Sequence, residues 1–163
     1  MLNKYFYCFV ISMVPLIELR GAIPIAQAFH TADPSFNMLA AYIIIAIGNM
    51  VPVPIIFFFA RRVLEWGADK KVIGKFFSFC LNKGHKGGEK LKATAGRGLY
   101  VALLLFVGIP LPGTGAWTGT LAASFLDMDF KKSVLAVLGG GALAGVIMGV
   151  LSFAVASGVT AIG

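Results

Sequence analysis

Charge is what this chain has least of. Only 13% of its 163 residues are Asp, Glu, Lys or Arg, against 58% hydrophobic, and the mean hydropathy is +0.87. A soluble domain carries about a quarter charged residues, so this composition excludes one. Metal-ligating side chains are scarce as well. His30 and His85 stand alone, and Cys8 and Cys80 lie far apart with no ligand spacing around either. That excludes a disulfide framework and a structural zinc or haem site, so neither a metal nor a cofactor is expected. No nucleophile and base occur together in a recognisable arrangement, which makes an enzyme the least expected class.

What is present is four apolar blocks, at 5–30, 36–60, 99–126 and 134–162. Each is long enough to reach across, or deep into, a hydrocarbon core of about 30 Å. Ala26-Gln27-Ala28 after an apolar start imitates a secretory cleavage site. Against that reading, Glu18 and Arg20 would interrupt the apolar region of such a signal, and everything downstream is still membrane-like.

The net charge of +7 comes from one stretch. Between Arg61 and Gly98 there are ten Lys or Arg against three Asp or Glu, while the charges elsewhere cancel. Confined to one loop, this excess is no nucleic-acid footprint. The positive-inside rule places it in the cytoplasm, integral to the plasma membrane. Within the loop Val72, Ile73, Phe76 and Phe77 recur at helical spacing beside Lys70, Lys71 and Lys75, which predicts a cytoplasmic interfacial helix.

Blocks one and three are broken in their middles. Block one reads Val14-Pro15-Leu16-Ile17-Glu18-Leu19-Arg20-Gly21-Ala22-Ile23-Pro24, and block three Gly108-Ile109-Pro110-Leu111-Pro112-Gly113-Thr114-Gly115-Ala116-Trp117. Proline and glycine at this density interrupt a helix. The two halves also correspond at an offset of about 95 residues, Pro15-Leu16 falling on Pro110-Leu111. The expected fold is an all-α integral membrane domain over 1–163, built as an inverted repeat. Repeat one is 1–62, the basic loop 63–97 and repeat two 98–163, each repeat a re-entrant helical hairpin plus one transmembrane helix. The hairpin tips are expected at Pro15, Gly21 and Pro24, and at Pro110, Pro112, Gly113 and Gly115. Four ordinary spans are the competing fold; they keep the basic loop cytoplasmic but put Asp33 and Lys131 on the other side.

Glu18 and Arg20 are the only charges inside the blocks. Buried charges in lipid are expensive and mark pathways. Arg20 together with a helix N-terminus suits an anion, and Glu18 is the candidate proton carrier. The alternative is that the two neutralise each other. Thr114, Thr118, Thr120 and Trp117 are expected to line the second tip, though hydroxyls in helices also bond their own backbone. Pro52 and Pro54 predict a kink that frees carbonyls beside Asn49. Gly141, Gly145 and Gly149 repeat every four residues as a packing face, within the subunit or against a second copy. A homodimer is expected.

The Pro15 to Pro24 run and the Gly108 to Trp117 run together resemble the small multi-drug export proteins, themselves similar to the DedA-type membrane proteins. The resemblance implies paired re-entrant hairpins, with Glu18 as the acidic residue of the first and Arg20 as its basic companion. It also implies transport, with lipid-linked phosphates among the candidate cargoes. The second motif here has no charged residue at its tip, unlike some DedA-type proteins. The leading expectation is a proton-coupled transporter of an anionic or lipid-linked phosphate substrate, with membrane lipids as neighbours. An exporter of lipophilic cations using Glu18 and a non-transporting membrane scaffold are the alternatives.

Overall fold

The structure, a computed structural model, describes residues 2–68, 74–75, 78, 98–111 and 113–162. The interfacial helix expected over Val72, Ile73, Phe76 and Phe77 lies outside them. The described residues fold into helices α1 (Leu2–Met13), α2 (Glu18–Ala32), α3 (Met38–Met50), α4 (Pro52–Ala68), α5 (Gly98–Gly108), α6 (Ala116–Phe125) and α7 (Phe130–Ile162). α3 and α4 continue one another through Val51 at the expected Pro52–Pro54 kink, as one apolar stretch Met38–Ala68.

The breaks fall where backbone chemistry requires them. Pro15 disfavours helix at Val14, and Leu16 and Glu18 then take left-handed φ values of 70° and 50°. Such values are uncommon for residues with a Cβ, so the surroundings must hold them. The turn is therefore tighter and earlier than expected. Gly21 and Pro24, expected at the tip, lie inside α2. Proline there forfeits its N–H bond to the Arg20 carbonyl, a loss offset by the packing of α2 against α1, α3 and α7.

At one level of the molecule α1 begins, α2 ends and α3 begins. Lys4 Nζ lies 2.9 Å from Asp33 Oδ2, Tyr5 stacks on Phe36 at 4.5 Å, and Tyr5 Oη accepts from Asn37 N at 2.9 Å. At a second level α5 begins, α6 ends and α7 begins, beside Phe57 of α4. Here Tyr100 Oη accepts from Asp129 N at 3.3 Å, Ser124 Oγ donates to the Phe57 carbonyl at 2.7 Å, and Phe130 packs on Phe57. Twenty helical residues separate Asn37 from Phe57, which puts the levels about 30 Å apart at 1.5 Å per residue.

The halves repeat each other in detail. Tyr5 and Tyr100 each hold the backbone N–H of the residue that caps the following long helix. Asn37 Oδ1 then accepts from Ala40 N and Asp129 Oδ1 from Lys132 N, both at 3.0 Å. In each half the first short helix packs on its own long helix and the second on the long helix of the other half: α1 on α3, α5 on α7, α2 on α7, α6 on α4. Two apolar clusters result, one around Cys8, Ile23, Phe36 and Ile45, the other around Val53, Leu103, Val107 and Val137.

The outer surface has the opposite character to that of a soluble protein. Leu39, Ile43, Ile47, Val51, Ile55 and Phe59 recur every four residues, each between 38% and 71% exposed. The most apolar windows of Met38–Ala68 and Phe130–Gly158 are only 33% and 28% buried, whereas a soluble core helix would be mostly buried. By length and composition both helices can cross a membrane. An unbroken apolar face of this length calls for lipid or protein around it.

The Lys4–Asp33 clip gives a first test. Hydrogen bonding from the Ser35 hydroxyl, and then from Lys4, lowers the Asp33 carboxyl from its ordinary 3.8 to about 2. A depressed carboxyl stabilises the fold above its unfolded value and loses that contribution as pH falls through its folded value. Thermal unfolding in detergent should thus decline between pH 3.8 and about 2, and Asp33→Asn should flatten that window. An unchanged profile in the variant would show that the clip contributes nothing.

Candidate functional site

A helix that stops inside a protein leaves unpaired N–H groups at its start and unpaired carbonyls at its end. Away from water these need partners. The two breaks supply them to each other. Glu18, 4% exposed, accepts from Ala116 N at 3.0 Å and from Trp117 N at 2.9 Å, closing the start of α6. Arg20 donates to the Leu111 carbonyl, to the Val107 and Ile109 carbonyls at 3.4 Å, and to Thr114 Oγ1 at 2.8 Å. These groups form the end of α5 and the turn after it. In return Trp117 Nε1 donates to the Met13 carbonyl at 3.2 Å, at the end of α1.

Each charge thus faces the complementary end of a helix dipole: the carboxylate a helix start, the guanidinium a helix end. Among the described residues Glu18 and Arg20 form no direct ion pair, the close pair being Lys4–Asp33. The two charges still attract each other across space, but their hydrogen bonds go elsewhere. Both residues reach from the first break into the second.

Gly115 makes the contact possible. Its φ of +150° with ψ −173° lies in a region essentially reserved for glycine. A Cβ there would sit 2.2 Å from Glu18 Oε2. Gly113, at φ +81°, has open space around it.

Beside these contacts lies a cavity of about 340 Å³ lined by Pro15, Glu18, Arg20, Thr114, Trp117 and Thr118, with Pro110 and Gly113 also in its wall. Of the residues expected at the site, Thr120 is buried with no partner for its hydroxyl and does not line the cavity. Pro112 lies outside the described residues. Among the described residues no three His, Cys, Asp or Glu side chains gather where a metal could bind. The carbonyls of Ile109 and Leu111, on either side of Pro110, are held by Arg20 and Thr114.

A family model described as Putative small multi-drug export protein matches residues 18–147. The chain belongs to that family. Its match begins at Glu18, directly after the first break, and contains the second break together with Glu18, Arg20 and the groups of the second break that they hold. No curated protein and no solved structure matches the chain.

The expected glycine face behaves differently along its length. Gly149 lies against Tyr42, whose hydroxyl is 2.1 Å from where a Cβ would stand, while Gly141 and Gly145 meet nothing nearer than 3.5 and 3.9 Å. The close approach that spacing alone does reveal less well is elsewhere. Gly48 of α3 receives Ser12 and the Phe9 carbonyl of α1, with a Cβ position 2.2 Å from Ser12 Oγ.

Proposed function

We propose that the protein is a membrane exporter in which two re-entrant hairpins enter from opposite faces, meet at mid-membrane and carry an anionic substrate past their joined tips. The observation that carries this reading is the Glu18 carboxylate on the Ala116 and Trp117 N–H groups, a contact between residues 98 and 99 positions apart. α1 and α2, with 12 and 15 residues, are about 18 and 22 Å long, too short to cross a hydrocarbon core of about 30 Å. Their outer ends share one level and those of α5 and α6 the other, which supports opposite entry. Membership of a small multi-drug export family supports export rather than an enzyme, and the apolar outer surface supports a membrane location.

Glu18 is the proton carrier in this reading. While ionised it fills the donor pair at the start of α6 and ties the halves together. Protonated, it loses its charge-assisted bonds, and the helix start and Arg20 become available to a carboxylate or phosphate from the substrate, including one linked to a lipid. Proton and anion thereby compete for the same donors. The basic loop lies in the cytoplasm, so hairpin two enters from that side, and the exposed α3 and α7 faces accommodate lipid or a second copy in a homodimer. A lipophilic cation fits less well, since Arg20 opposes it.

In proteoliposomes carrying the wild type, a pH gradient should drive anion movement, and Glu18→Gln should reduce it to the passive leak. Drive that survives the substitution removes Glu18 from the coupling. Topology is checked separately. Ser35→Cys should label from outside and Lys131→Cys from the cytoplasm, whereas labelling of both from outside would establish four ordinary spans.

A further inference from the structure

A second, larger cavity lies apart from the tips. About 610 Å³ in volume, it runs between α3 and α7, from Tyr42, Gly149 and Phe153 at one end to Asn49, Gly141 and Leu138 at the other. Along α7 that is about 22 Å at 1.5 Å per residue, somewhat more than the roughly 15 Å of one bilayer leaflet. Gly141 and Gly145 strip one wall of side chains without any helix moving in to use the space. Ile43, Val146 and Val150, between 54% and 66% exposed, flank the opening, so it faces the same apolar surroundings as the outer surface.

At the inner end sits a polar group that packing does not explain. Asn49 is 2% exposed, and its side-chain carbonyl has no hydrogen-bond partner. Its amide nitrogen is directed at Gly141, 3.9 Å from the position of a Cβ there, in the groove wall. A buried amide oxygen without a donor is destabilising. The natural relief is a ligand. We propose that this groove binds an uncharged, membrane-dissolved molecule with a long apolar body and one hydroxyl group, which enters sideways from the lipid and places the hydroxyl on Asn49.

The chemistry follows from the lining. Apart from the Tyr42 phenol no titratable side chain among the described residues borders the groove, so a charged ligand would lack a counter-ion among them. The two ends of an amide need a donor and an acceptor, and a hydroxyl is both. The site is separate from the tip cavity, although Leu19 lines the groove while its neighbours Glu18 and Arg20 line the tips. It stands whether or not an anion passes those tips.

The test uses the full chain in nanodiscs with three photoreactive probes of equal length: a long-chain alcohol, the matching alkane and the matching carboxylate. The alcohol should label 42–50 and 141–153, at least about fivefold above either of the others. Asn49→Leu should lower alcohol labelling about fivefold to tenfold and leave the alkane unchanged. Gly145→Leu, for which there is room, should block the excess alcohol labelling of the two segments while Leu39, Ile55 and Phe59 on the outer stripe are labelled as before, which reports an intact fold. Equal labelling by alcohol and alkane, or indifference to Asn49→Leu, overturns the proposal. So does efficient disulfide formation between copies carrying Val146→Cys with exclusion of the alcohol, because the groove would then hold a second copy.

Discussion

Gly115→Ala is expected to destabilise the protein by about 4 kcal/mol or more, enough to stop it accumulating in folded form. Two separate effects combine. The backbone at φ +150° is strained for any residue with a Cβ, by about 1–3 kcal/mol. The added methyl would also stand 2.2 Å from Glu18 Oε2, so the carboxylate must leave Ala116 N and Trp117 N. Stripping a buried charge of its partners is destabilising by about 3–5 kcal/mol. Gly113→Ala isolates the first effect, since its φ is +81° with nothing within 4 Å, and it should lose only about 1–2 kcal/mol. Thermal unfolding of both variants in the same detergent measures the difference. Equal losses would mean that the Glu18 carboxylate does not hold the tips together.

Much of this organisation is written in local sequence, and the part that is not depends on distance along the chain. Pro15 and Pro110 mark both breaks because proline acts on the residue before it and on its own N–H, so no tertiary information is needed to see its effect. Tyr5 and Tyr100 keep the same offset as the two prolines, and each accepts from the backbone N–H of the residue that precedes a long helix. Where Glu18 and Arg20 point was not legible in the sequence. Two opposite charges two residues apart look self-sufficient, and only the folded chain shows that the starts and ends of broken helices elsewhere compete for them more effectively. Gly21 and Pro24 misled for a related reason: composition marks a helix as weak but cannot show that neighbouring helices hold it intact. The orphaned carbonyl of Asn49 was out of reach too, because an Asn beside two prolines reads as part of a kink until the surrounding side chains are placed.

Arg20→Ala carries the other large effect. The Arg20 guanidinium serves the Leu111, Ile109 and Val107 carbonyls and Thr114 Oγ1 with one planar group. These acceptors have no other nearby cation among the residues that line the cavity. Removing it strips the Val107 carbonyl of that donor and leaves the Ile109 and Leu111 carbonyls to their local bonds from Leu111 N and Thr114, which should be destabilising by about 3 kcal/mol, at roughly 1–3 kcal/mol for each bond not replaced by water. Arg20→Lys keeps the charge but reduces a fork to a point, so it should recover part of the stability. Thr114→Ala combined with Arg20→Ala should be less than additive, with a coupling of about 1–2 kcal/mol, because the hydroxyl relays the same contact to Ile109 and Leu111. Transport separates the structural part from the functional one. If Arg20 also receives the anion, Arg20→Lys should retain much of its stability yet lose most anion movement, since an ammonium with three N–H donors in place of five cannot hold the α5 carbonyls and still present a planar fork to a substrate. A lysine variant with full transport would assign Arg20 to holding the hairpin alone, and improved efflux of a lipophilic cation by Arg20→Ala would reverse the sign of the substrate.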